Sequence, residues 1–100
     1  MIFRWQAEAV KEVEVAADFY REKQKGLEQR FLEALEDALR RIQRRPQIYQ
    51  TIEKDIRKCK LPRFPYGIIF RVQHEHIEII AVMHLHRQPG YWQTRAQSNS

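Results

Sequence analysis

The densest chemistry in this chain is the run His84-Leu-His-Arg-Gln-Pro-Gly-Tyr-Trp92, which brings two imidazoles, a guanidinium and two aromatic rings close together. Imidazole exchanges protons near neutral pH, guanidinium grips phosphate or carboxylate in two places at once, and aromatic rings stack on bases. His84, Arg87 and Tyr91 are therefore the candidate catalytic residues, as general acid, base or phosphate clamp. His86 and Trp92 join them as candidate target- or phosphate-binding residues. A second arrangement uses the same residues without chemistry: Tyr91 and Trp92 close the open end of the core, and Arg87 stands in solvent.

The four histidines form two His-x-His pairs, His74/His76 and His84/His86. On a strand, residues two apart share a face, so each pair has the spacing of two metal ligands. The pairs sit about 26 Å apart along an extended chain, at ~3.3 Å per residue, too far to join in one site. With Cys59 as the lone cysteine, no disulfide or cysteine-built metal centre is expected. No metal or cofactor is expected.

Arg57, Lys58, Lys60 and Arg63 form a basic strand edge in which Arg57 and Arg63 are expected to share one face. Such an edge discourages strand-on-strand aggregation, or it holds a backbone phosphate or an acidic partner segment. Arg71 lies inside a strongly apolar strand and needs a cleft, a bound partner, or a carboxylate such as Glu78 across the hairpin. Arg57, Arg63 and Arg71 complete the candidate target-binding set. The acidic residues pair along helix faces, as Glu36/Arg40 and Asp37/Arg41 do, and look structural. No nucleophile elbow or phosphate loop is present.

The elements that must position these groups follow from periodicity. Ile2-Phe-Arg-Trp-Gln6 alternates and reads as a short strand. From Ala7, Val10, Val13, Ala17 and Tyr20 mark an amphipathic helix ending near Gly26. Leu27, Phe31, Ala34, Leu35, Ala38 and Ile42 mark a second helix, stopped by Pro46. The short join makes them an antiparallel hairpin. Residues 46–56 read as a loop anchored by Ile48, Tyr49 and Ile52. Strands are expected over Ile56–Arg63, Gly67–Gln73 and Ile77–Met83, the last two joined at His74-Glu75. The result is an α+β domain, β-α-α-β-β-β, with the helical hairpin packed on a small antiparallel sheet. It is expected to span residues 1–94, with a loose tail over 95–100.

The net charge is +5, and after Asp55 only Glu75 and Glu78 are acidic, so the positive half is the C-terminal half. That balance favours nucleic acid, the ribosome or an acidic protein as partner. No apolar run approaches the roughly 20 residues that cross a bilayer, so no membrane partner is expected. The N-terminal stretch runs into a charged helical pattern, unlike a signal peptide, and the expected location is cytoplasmic.

Three stretches together resemble the RelE/ParE toxin family, also described as plasmid stabilisation proteins. They are Ala16-Ala-Asp-Phe-Tyr20 with Gly26-Leu27, Phe31 and the stop at Pro46; Arg63-Phe-Pro-Tyr-Gly-Ile-Ile-Phe-Arg-Val72; and Ile77–His84 running into His86-Arg-Gln-Pro-Gly-Tyr-Trp92. The resemblance covers roughly residues 7–92. It implies the same β-α-α-β-β-β fold and a growth-inhibiting toxin of a type II toxin–antitoxin module, neutralised by a cognate antitoxin in a hetero-oligomeric complex. RelE-like members cut mRNA on the ribosome with strand arginines or lysines and a C-terminal tyrosine or histidine. ParE-like members inhibit DNA gyrase and lack that set. Here Gly67 stands where a key strand arginine is expected, Arg87 or His86 matches the later basic position, and Tyr91 approximates the terminal tyrosine. The resemblance therefore implies a ParE-like gyrase inhibitor first, with a RelE-like endoribonuclease as the alternative.

Overall fold

The computed structural model describes residues 1–98. Ala7–Lys23 forms α1 and Leu27–Arg44 forms α2, as the apolar spacing requires. Gly26 takes the left-handed conformation, φ 83°, and serves as the N-cap of α2, so one residue without a side chain lets the chain reverse between the helices. Arg41 and Arg44 occupy the last turn of α2, where cations suit the helix dipole, and Pro46 opens a short 3-10 turn, Pro46–Ile48.

The strands are β1 (Ile2–Trp5), β2 (Gln50–Glu53), β3 (Ile56–Lys60), β4 (Tyr66–Gln73) and β5 (His76–His84), ordered β1-β5-β4-β3-β2. The helical hairpin packs on one face of this sheet, which is the expected α+β architecture. The sheet is mixed where an all-antiparallel one was expected, because β1 pairs in parallel with β5 while β2 to β5 form an antiparallel meander. A helical hairpin between β1 and the meander returns the chain to the far side of β5, and that crossover sets the parallel direction. β2 falls where the sequence predicts a loop; its Gln-Thr-Ile-Glu sequence lacks apolar alternation because it is an edge strand. Tyr49 and Ile52 anchor this region as expected, but Ile48 is exposed.

Two cores result. Phe31, Leu35, Ala38 and Ile42 of α2 and Ala9, Ala16 and Tyr20 of α1 meet Cys59, Ile68, Phe70, Ile77, Ile79 and Val82 on the helix-facing side. On the other side, Ile56, Ile69, Ile80, Ala81 and Met83 are covered by Trp92 and Ala96. Residues Gln93–Ser98 form α3, and Arg95 and Ala96 pack against the sheet and α1 where a loose tail was expected from residue 95. The remainder of that expected tail lies outside the described residues. No helix is long and apolar enough to cross a membrane among the described residues.

Candidate functional site

One irregularity decides where the C-terminal chemistry points. The pairing of β4 with β5 skips Ile80: Ile69 lies opposite Ala81 and Phe70 opposite Ile79. This β-bulge puts both Ile80 and Ala81 on the Trp92 side and shifts the alternation beyond them. Ile77 and Ile79 face the helices before the bulge, and Val82 and His84 face them after it. His84 therefore lies against Tyr66 across the ladder, ring centroids 5.1 Å apart and nearly perpendicular. His86 follows in the turn, 5.2 Å from His84, and its backbone N–H donates to His84 Nδ1 at 3.1 Å. An accepting Nδ1 places the proton of the neutral imidazole on Nε2.

The bulge also leaves an edge to fill. β1 accompanies β5 only as far as Ile79, whose carbonyl accepts from the Gln6 N–H. Past that point a carboxylate and a guanidinium stand in for a strand. Glu12 of α1 accepts the Val82 backbone N–H at 3.0 Å, and Arg95 of α3 donates to the Ile80 carbonyl at 3.2 Å. The two then pair bidentately, both bonds 3.0 Å. Glu12 was legible in principle: it falls between Ala9 and Ala16 at steps of three and four, on the buried stripe of α1, where an unpaired carboxylate is costly.

Tyr91 belongs to this arrangement. Its hydroxyl donates to Glu12 at 2.6 Å. Burial first, then the hydrogen bond and charge of Glu12, hold its phenol well above the ordinary range, against the opposing charges of Arg95 and Arg87. A phenol so held is a poor proton acceptor at neutral pH. The exposed Arg87 guanidinium stacks 4.1 Å over the Tyr91 ring, and Arg95 lies 5.0 Å from its centroid.

His84, Arg87 and Tyr91 do come together. They line a cleft of about 260 Å³ with Lys11, Val15 and Tyr66. The rest of the expected set is dispersed. Trp92 is 4% exposed and packed in the second core, which corrects its reading as a target-binding residue. Arg71 is equally committed: it donates to Glu78 Oε1 at 3.1 and 2.7 Å and to the Ala96 carbonyl at 3.1 Å. Glu78 is the cross-hairpin partner that its position calls for, and it also accepts from Gln6 at 2.8 Å. Arg57 donates to the carbonyls of Gln47 and Tyr49, tying the loop to β3. Arg63 shares no strand face with it, because β3 ends at Lys60 and Arg63 occupies an exposed turn at φ 70°. His86 is exposed beside the cleft.

The two histidine pairs stand at opposite ends of β5. The first flanks the β4–β5 turn, beside a hollow of about 670 Å³ around Arg4, Gln6 and His76. Among the described residues no three His, Cys, Asp or Glu side chains group as metal ligands. At Gly67, an added Cβ would meet the Lys58 and Leu85 side chains at 3.4 Å, ordinary van der Waals contact.

Comparison with known proteins adds three findings. Residues 3–89 match the family described as the ParE toxin of the type II toxin-antitoxin system, parDE. Among solved structures, a chain of the chromosomal ParDE TA system from P. aeruginosa superposes with a TM-score of 0.62 at 20% identity, over 85% of this chain and 96% of that one. At that identity the likeness speaks for the fold alone. No curated protein gives a sequence match.

Proposed function

The chain belongs to the ParE toxin family and is a toxin of the type II toxin–antitoxin class, and from that premise we propose that it arrests growth by binding DNA gyrase without catalysing a reaction. A cognate antitoxin neutralises it in a hetero-oligomeric complex. Its site of action is the cytoplasm, where gyrase works. We take the toxin domain, expected to end at residue 94, to include α3, a reading supported by the packing of Arg95 and Ala96.

The observation that carries the binding-only reading is the commitment of the Tyr91 hydroxyl to Glu12. Phosphodiester cleavage needs an acceptor for the 2′-hydroxyl proton and cations around the phosphorane. Tyr91 is held protonated, Arg57 and Arg71 are bonded to groups of the fold itself, and Gly67 offers no side chain. What remains around the cleft is Lys11, His84 and Arg87, two cations and an imidazole suited to acidic groups on a protein target. Purified gyrase supercoiling relaxed plasmid, with the chain or its Arg87→Ala variant added, tests the reading. The wild-type chain blocks supercoiling and the variant does not. Undisturbed supercoiling together with cleaved ribosome-bound mRNA would transfer the assignment to the endoribonuclease alternative.

A further inference from the structure

Positive charge gathers at the edge of the sheet away from the cleft. Between Arg40 and Arg63 stand nine of the 18 lysines and arginines, against Glu53 and Asp55 as the only acids. Three of the nine are engaged, Arg40 and Arg41 with Asp37 and Arg57 with the Gln47 and Tyr49 carbonyls. Arg44, Arg45, Lys54, Lys58, Lys60 and Arg63 make no ion pair among the described residues. All are exposed except Lys58, which is half-buried. They flank the β2–β3 edge from both sides. Cys59 faces the helices and Ile56 the second core, so by alternation Lys58 and Lys60 stand on the face away from the helices. Arg44 and Arg45 end α2 on the helix side, where Arg57 ties the 3-10 turn to β3. Lys54 and Arg63 occupy the turns before and after β3. The cleft lies over β5, which β4 separates from β3.

Two ordinary uses of such charge leave most of it unexplained. Arg41 and Arg44 suit the α2 dipole, but Arg45 and the cations after it lie past the last helical turn. Lysines that guard a sheet edge belong on the edge strand, and β2 carries none. We propose that this edge is a second binding surface, holding the phosphate backbone of duplex DNA without reading its sequence. Cations on both faces of one sheet edge match the two phosphate rows that border a groove, and Gln50 and Thr51 between them are polar and uncharged. The run from Lys54 to Lys60 spans at most about 20 Å at ~3.3 Å per residue, the axial length of about six phosphates of one strand. A single strand offers one phosphate row and wants aromatic platforms for its bases. Tyr49, the aromatic residue of this stretch, is half-buried edge-on against Phe70. A protein partner wants an apolar centre, and Ile48 is the sole exposed large apolar side chain there. DNA binding at this edge does not depend on the gyrase reading. It holds the chain on the polymer that gyrase works on and leaves the cleft free.

The test is fluorescence anisotropy of the purified chain with a labelled duplex of about 20 base pairs, at salt from about 50 to 200 mM. Arg44→Gln/Lys58→Gln/Lys60→Gln is compared with wild type and with Lys23→Gln/Lys25→Gln/Arg30→Gln, which removes the same charge around the α1–α2 turn. Wild type is expected to bind with log K falling against log salt at a slope of about −4 to −5, for four to six phosphates. The edge variant binds at least about tenfold more weakly at low salt, with a slope shallower by about 3, while the turn variant keeps the wild-type slope. Lys60→Gln alone makes the slope shallower by about 1, and serves if the triple edge variant fails to melt cooperatively. No binding of wild type at about 50 mM salt would overturn the inference. So would equal losses in the two triple variants, which mark net charge alone, or tighter binding of a single-stranded RNA of the same length.

Discussion

Replacing Glu12 with alanine removes an acceptor on which three distant parts of the chain converge: the Val82 N–H, the Tyr91 hydroxyl and the Arg95 guanidinium. The Arg95 side chain is 15% exposed, so the substitution takes the carboxylate away from a mostly buried cation, which keeps the Ile80 carbonyl. Breaking a buried pair from one side costs about 3–5 kcal/mol, and an unsatisfied backbone N–H about 1–3 kcal/mol. The neighbouring cleft admits water to part of this network, which lowers the sum to about 3 kcal/mol. In a domain of this size that is a Tm lower by about 12–24 °C. Glu12→Gln keeps an acceptor but loses the charge, and falls between the two. Thermal and urea unfolding followed by circular dichroism measure the loss. A double-mutant cycle with Arg95→Ala isolates the pair, with a coupling of at least about 1 kcal/mol expected. Faster amide exchange at Val82 in Glu12→Ala would report the opened edge of β5 directly. A Glu12→Ala protein that melts within a few degrees of wild type, with no coupling to Arg95, would refute the idea that this carboxylate replaces the missing strand.

Two further outcomes follow from the same geometry. Trp92→Ala empties a site in the second core and is expected to cost about 3 kcal/mol in urea unfolding; a loss below about 1 kcal/mol would return Trp92 to the list of surface candidates. Tyr91 gives a pH signature whose sign is fixed by its raised pKa. The unfolded phenol releases its proton near 10.0 and the folded one only above that, so its stabilising effect is complete below pH 10 and drains away as pH rises further. Urea midpoints between pH 8 and 11 should therefore fall more steeply in wild type than in Tyr91→Phe, and parallel curves would contradict the Glu12 bond.

The sequence exposes what depends on local periodicity. Phe31, Leu35, Ala38 and Ile42 reveal α2, the β-branched runs reveal β4 and β5, and the register of that hairpin brings Glu78 opposite Arg71. It hides what depends on distant partners. β2 carries no apolar alternation because it is an edge strand, and α3 has only the residues Gln93–Ser98, too few to hold a helix without docking. The parallel pairing of β1 follows from the crossover and leaves no mark in Ile2–Trp5. The expected pairing of Arg57 with Arg63 on one face assumed a longer β3; the turn at Arg63 breaks the alternation. In the site, His84, Arg87 and Tyr91 were legible as neighbours. The role of Tyr91 was not, because Glu12 lies at the other end of the chain and the bulge at Ile80 has no sequence signature.

Binding of gyrase and cutting of RNA are separated by following one relaxed plasmid and one ribosome-bound mRNA in parallel. Purified gyrase and programmed ribosomes each receive the purified chain over the same concentration series. Supercoiling is expected to stop while the mRNA stays intact, and Arg87→Ala, melting at the wild-type temperature, relieves the block. Intact supercoiling at large excess with mRNA cut in the ribosomal A site, or full inhibition by a well-folded Arg87→Ala protein, would contradict the gyrase reading.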